Sequence, residues 1–170
     1  RPSPAVLDLC AGTGAVGIAV AKNQPFARVT AVEWEEPAFS YLLRNAERHG
    51  GIVRAVRADV LRPPGVKEAF DCIVSNPPYI PSSALQSLQP EVQREPFSAL
   101  DGGGDGLRFY QAICLFWAPL LAPGGLLAVE IGFDQGKAVK ELFHAAELSE
   151  IRVYRDLGGN DRVVAGIKRS

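Results

Sequence analysis

The sequence predicts one α/β domain, a doubly wound sheet of seven strands, mostly parallel, with an antiparallel hairpin at its C-terminal edge. Three observations predict it. Short continuous apolar runs alternate with helical patterns along the 170 residues, as in parallel sheets covered on both faces. A glycine-rich turn joins the first of these runs to the first helical pattern, in "DLCAGTGAVGIAVA". The last two runs are separated only by "LGGND", which suits a hairpin and is too short for a parallel crossover.

Taken in order, "AVLDLC" is the first strand and Gly14 to Asn23 the helix that follows it. "ARVTAVE" is the second strand and Pro37 to His49 the second helix. "IVRAVRAD" and "FDCIVSN" are two further strands, then "GLRFYQAICLFWAPLL" a helix and "GLLAVEI" a strand. Gln135 to Ala146 closes the helical set, and "IRVYRD" and "RVVAGIK" form the hairpin. One segment breaks the rhythm. Between Tyr79 and Asp105 runs "IPSSALQSLQPEVQREPFSALDGGG", with three prolines, a glycine run and little periodicity. A loop this long inside a compact domain tends to be functional or disordered. Its place directly after Tyr79 favours a mobile substrate clamp.

Hydrophobic residues make up 47% and charged residues 22%, enough for one sizeable core. No apolar run approaches the roughly 20 residues of a membrane span, and a cytoplasmic setting fits. The net charge of −1 argues against a lone nucleic-acid-binding domain, which ordinarily carries a basic excess. Cys10, Cys72 and Cys114 are far apart among apolar residues, so they read as buried thiols, with no metal site. The chain begins at Arg1 and contains no methionine, as an excised domain or processed chain would.

Gly12 and Gly14 stand between the first strand and helix, where glycine lets a ligand approach the backbone and a helix N-terminus offers free N–H groups. A tight strand-to-helix turn would look the same. Gly12, Gly14 and Gly17 also match the dinucleotide fingerprint, so a nicotinamide cofactor is an alternative. Glu33, ending the second strand, is placed to accept ribose hydroxyls, and loop plus acid means an adenosine-containing ligand. Asp59 ends the third strand, able either to reach an adenine amino group or to cap a turn. Trp34 suits the adenine face or the core.

The fourth strand ends in "SNPPYI". Two prolines hold Asn76 and its neighbours nearly rigid, a plain strand terminator or a pre-set pair of hydrogen-bond acceptors.

Here the sequence resembles a family. "DLCAGTGAVGIA", "AVEWEEPA", "RADV", "FDCIVSNPPYI", "EVQREPFSALDGGGDGLRFY" and "PLLAPGGLLAVEIGFDQG" are similar to the catalytic domain of the peptide-chain-release-factor glutamine methyltransferases, the HemK/PrmC family. The similarity runs over nearly all of residues 1–170. The resemblance implies a Rossmann-like class I S-adenosylmethionine-dependent methyltransferase acting on the glutamine of the Gly-Gly-Gln loop of a release factor. It implies cofactor contacts at Asp8, Cys10, Ala11, Gly12, Thr13, Gly14, Glu33, Asp59, Val60 and Asn76, to which Trp34 is added as a candidate from its place after Glu33. It implies substrate contacts at Asn76, Pro77, Pro78 and Tyr79, with Asn76 and the Pro77 carbonyl aligning the acceptor amide and Tyr79 packing on it. Cys10 and Ala11 depart from the family's commoner glycine and small hydroxyl residue, Glu33 from its aspartate, and Val60 from an aromatic residue. Family members carry a helical domain upstream, which this chain does not include.

The same acceptor pair would suit an adenine amino group, so an adenine methyltransferase is the second reading. A non-catalytic S-adenosylmethionine-binding module is the third. Nucleic acid is not expected as the substrate, and a monomer is expected. His49 and His144 read as solvent-facing or helix-end residues. Arg152, Arg155, Arg162, Lys168 and Arg169 read as a solvated edge, with a weak phosphate contact as the alternative.

Overall fold

The computed structural model describes residues 2–65, 68–90 and 92–169. Seven strands form one sheet: β1 (Ala5–Leu9), β2 (Arg28–Glu33), β3 (Val53–Arg57), β4 (Phe70–Ser75), β5 (Leu121–Glu130), β6 (Leu148–Arg155) and β7 (Asp161–Lys168), in the order β3-β2-β1-β4-β5-β7-β6. β1 to β5 are parallel, and β7 lies antiparallel between β5 and β6. The expected fold is therefore the observed one. Because β2 and β3 extend the sheet to one side of β1 while β4 and β5 extend it to the other, the strand order reverses between β1 and β4. Ligands bind in open α/β sheets at the carboxyl ends of such a switch point.

The pleat of β1 divides the core. Ala5, Leu7 and Leu9 face one layer, with Tyr110, Ile113, Trp117, Val139 and Phe143. Val6 faces the other, with Ile18, Val29, Ala31, Leu42 and Val53. Successive side chains of a strand point to opposite faces, so a continuous apolar run is what a sheet covered on both sides requires. Helices α1 (Ala15–Asn23) and α2 (Glu36–Arg48) cover the Val6 face, while α4 (Arg108–Ala112) and α5 (Gly136–Ala145) cover the other. A short α3 (Phe97–Leu100) lies in the long loop.

Three boundaries differ from expectation. "GLRFYQAICLFWAPLL" is not one helix: α4 ends at Ala112, a π turn spans Ile113–Trp117 and a 3-10 turn Ala118–Leu120. Pro119 lacks the N–H that would continue the ladder, and its ring crowds the carbonyl one turn back, so the helix widens before it. β5 begins at Leu121 rather than Gly125 because Leu121 already pairs with Phe70; Leu126 then pairs with Cys72 across a register shift. β6 begins at buried Leu148, and its pairing with β7 shifts between Ser149 and Arg152, where Glu150 takes a left-handed φ of 50°.

The long loop is also more ordered than its composition implies. It contains 3-10 turns at Ser82–Ser87 and Val92–Arg94 besides α3. Its base is tied: Ile80 N donates to Leu100 O at 3.0 Å, Gly102 N to Ile80 O at 2.8 Å and Ser82 N to Gly103 O at 2.9 Å.

Candidate active site

A cleft of about 930 Å³ opens at the carboxyl ends of the strands around the β1/β4 switch point. It is lined by Asp8, Cys10, Ala11, Gly12, Thr13, Glu33, Trp34, Asp59, Val60, Asn76, Pro77, Pro78 and Tyr79, which the sequence spreads over some seventy positions. Gly14 is the predicted site residue that lies outside the lining. It packs beneath, at the N-terminus of α1, where a Cβ would meet Leu42 Cδ1 at 2.5 Å.

The first turn is built around Glu33. Its Oε2 accepts from Gly12 N at 2.8 Å, and its Oε1 accepts from Trp34 N and Glu35 N at 2.7 Å each. A carboxylate offers about four acceptor positions, so three of them fix the side chain and about one is left for a ligand hydroxyl. Asp8, 1% exposed, accepts from Gly17 N at 2.7 Å. Burial raises its pKa from 3.8 to about 6, opposed by the Gly17 hydrogen bond and assisted by the charge of Glu33. Burial, then the Glu33 charge, also pushes the Cys10 thiol up, so it stays protonated and is no nucleophile. Among the described residues no group of His, Cys, Asp and Glu could hold a metal ion.

Trp34 is 53% exposed, which removes the core reading; the Arg57 guanidinium lies 5.6 Å from its ring centroid. Asp59 does cap a turn, since its Oδ1 accepts from Leu61 N at 2.9 Å. It still lines the cleft, so capping and ligand roles are compatible. Val60 is buried, and its carbonyl accepts from Trp117 Nε1 at 2.8 Å, which fixes this wall to the core.

On the opposite wall, Asn76 is exposed to the cleft while Pro77 and Pro78 are buried. The prolines restrict the backbone that carries Asn76. Tyr79 is half-buried with its hydroxyl 3.4 Å from Glu130 Oε1; burial, then the charge of Glu130, raises its pKa.

Sequence reasoning missed part of the cleft. Glu95, Pro96 and Phe97 form its outer wall, with Arg108 and Phe109 beside them. The available signal was their place within the quoted stretch "EVQREPFSALDGGGDGLRFY". His49 ends α2 and His144 is exposed in the last turn of α5. Of the C-terminal basic residues, Arg152 and Arg155 are exposed on the edge strand β6, with Arg155 paired to Asp161 at 3.2 Å. Arg162 and Lys168 are instead half-buried on β7 inside the sheet, because β7 lies between β5 and β6, and Arg162 pairs with Asp156 at 3.1 Å.

The comparisons with known proteins agree with this geometry. Residues 1–105 match the family described as the methyltransferase small domain. The chain belongs to that family. It is similar to the release factor glutamine methyltransferase of Geobacter sulfurreducens, with 45% identity over 163 residues, 95% of this chain and 57% of the relative. It is also 41% identical to the enzyme of that name from Caulobacter vibrioides over 96% of this chain and 57% of that one. The chain thus spans a little over half the length of these curated relatives. Among solved structures, a methyltransferase from Pyrococcus furiosus superposes with a TM-score of 0.73 at 23% identity, over 100% of this chain and 77% of that one. TrmN from Thermus thermophilus gives 0.67 at 23% identity, over 99% and 45%. At these identities the likeness is one of fold.

Proposed function

We propose that this domain transfers a methyl group from S-adenosylmethionine to the side-chain amide nitrogen of the glutamine in the Gly-Gly-Gln loop of a peptide chain release factor. The observation that supports the reading is that Asn76 and Pro77 line the same cleft as Glu33 and Asp59. The curated relatives named for this reaction support the choice of substrate.

The residues present fit the donor. Glu33 keeps an acceptor position for a ribose hydroxyl, Asp59 stands where an adenine amino group would be met, and the Gly12 turn brings backbone close to the ligand. S-adenosylmethionine supplies an electrophilic methyl on a sulfonium sulfur. An amide nitrogen is a weak nucleophile, because its lone pair is delocalised into the carbonyl. It carries two N–H donors, and the Asn76 side-chain oxygen and Pro77 carbonyl accept one each, which aims the nitrogen at the methyl. On transfer the C–S electron pair would stay with sulfur as the C–N bond forms, and the nitrogen would shed its surplus proton only after the methyl has arrived, so the site needs no general base beforehand. Tyr79 packs against the amide and excludes water.

On this reading residues 1–170 are the catalytic unit, acting as a monomer in the cytoplasm where its substrate works. Among the described residues no helix is long and apolar enough to cross a membrane. Mass spectrometry of a release factor incubated with the protein and S-adenosylmethionine tests the proposal. One added methyl on the Gly-Gly-Gln glutamine, with none on an adenine-containing oligonucleotide, is the expected result. Methyl on the oligonucleotide alone would replace this reading with the adenine one.

A further inference from the structure

The stretch "EIGFDQG" has no part in the chemistry above, yet it supplies the buried residue that grips the acceptor motif from behind. Gln135 is 8% exposed and stands at the N-terminal boundary of α5. Its Nε2 donates to the Tyr79 carbonyl at 2.9 Å and to the Gly106 carbonyl at 3.3 Å. Its Oε1 accepts from Gly132 N at 2.9 Å and lies 3.2 Å from the Tyr110 hydroxyl. Tyr110, fully buried, has one proton to share between Gln135 Oε1 and the Glu130 carbonyl, 2.9 Å away.

One side-chain amide therefore ties together the end of the Asn76-Pro77-Pro78-Tyr79 motif, the glycine stretch closing the long loop, and the turn between β5 and α5. The fit depends on glycine at position 106. A Cβ there would lie 2.5 Å from the Tyr79 carbonyl oxygen and 2.7 Å from Gln135 Nε2, and the backbone holds φ at +74°.

We propose that Gln135 is a positioning residue for methyl transfer: it fixes the Tyr79 carbonyl, and through it the Pro77 carbonyl and Asn76, to the rigid end of β5. This rests on the cleft being the methyl-transfer site. All four hydrogen-bonding positions of the Gln135 amide face groups within hydrogen-bond reach. A glutamate there keeps the size and the acceptors for Gly132 and Tyr110 but sets a carboxylate oxygen against two carbonyls. A methionine keeps the volume and bonds nothing. Misplacement of an acceptor pair by about an ångström costs on the order of a hundredfold in rate without altering the contacts that bind the donor.

The test compares Gln135→Glu and Gln135→Met with the parent in two measurements. The first is kcat and the KM for S-adenosylmethionine in release factor methylation. The second is amide hydrogen exchange at Ile80 and Gly102, whose N–H groups tie the base of the long loop. The expected result is a kcat lower by tenfold to a hundredfold, a KM within about threefold of the parent, and faster exchange at Ile80 and Gly102 with β4 unchanged, more marked for Glu than for Met. Faster exchange with an unaltered kcat would make Gln135 merely structural. Unaltered exchange in a folded variant would overturn the clamp itself. Should the parent methylate no release factor, the proposed reaction fails, and the exchange measurement still decides whether Gln135 holds the motif. Should Gln135→Glu not fold, the same two readings on Gln135→Met decide.

Discussion

Gly17 N donates to the buried Oδ2 of Asp8 at 2.7 Å, and a Cβ on Gly17 would lie 3.0 Å from that oxygen. The third glycine of the apparent dinucleotide fingerprint therefore serves a carboxylate of the protein itself. Gly17→Ala is expected to push Asp8 and the turn above it out of place. A loss of donor affinity on the order of tenfold, read by calorimetry on the folded variant, is the expected outcome.

Asp8 also predicts a pH dependence. Its pKa rises from 3.8 to about 6 on folding, so between those values the folded state holds more protons than the unfolded one. The contribution of Asp8 is fully present below 3.8 and is lost as pH rises through about 6. The loss amounts to about 3 kcal/mol, taking ~1.4 kcal/mol per pKa unit. Urea unfolding of Asp8→Asn against the parent across this window should show the difference in stability growing with pH. Parallel curves would place the raised pKa elsewhere.

Glu33→Ala removes one acceptor for a ligand and three for the backbone N–H groups of Gly12, Trp34 and Glu35. The variant is expected to bind S-adenosylmethionine more weakly by about 1.5–3 kcal/mol and to melt several degrees lower. Unchanged affinity would sink the ribose assignment, and tight binding of NAD would restore the nicotinamide one.

Asn76→Ala removes one of two acceptors from the substrate amide. A donor left unpaired in a dry site costs about 1–3 kcal/mol, and lost aim adds to it, so single-turnover methylation at saturating donor should fall roughly a hundredfold. Because Asn76 is exposed at a strand end, the melting temperature should move little. Transfer within a few-fold of the parent would return "SNPPYI" to a strand terminator.

Trp34 predicts the opposite kinetic pattern. An exposed ring lining the cleft adds apolar contact to bound donor, so Trp34→Ala should raise the KM for S-adenosylmethionine by about tenfold at nearly constant kcat. A fall in kcat at unchanged KM would move Trp34 from donor binding to the transfer step.

How far these features are legible in the sequence follows from how local their causes are. β1 and β4 read correctly because a strand buried on both faces needs a mostly apolar run, interrupted here by Asp8 and Asp71, and Glu33, Asp59 and Asn76 stand out as polar residues just where strands end. The broken helix after α4 does not. Ile113 to Trp117 continue the apolar pattern, and the widening caused by Pro119 acts a turn before the proline. The outer wall at Glu95 to Phe97 lies in a stretch the sequence singles out, but its place at the cleft depends on tertiary contacts such as the Ile80–Asp101 bridge, which local pattern does not show. Gln135 looks like an ordinary polar residue at a helix start; its meaning lies in a carbonyl 56 positions earlier.

The left-handed Glu150 in the bulge of β6 bears on how the molecule behaves in a crowd. A sheet with seven strands has two open rims, and a flat rim invites another chain to add a strand. One rim is β3, five residues long and bearing exposed Arg54 and Arg57. The other is β6, bent at Glu150 and bearing exposed Arg152 and Arg155. A short strand at one rim, and a bend with exposed charged side chains at the other, are features that discourage rim-to-rim addition.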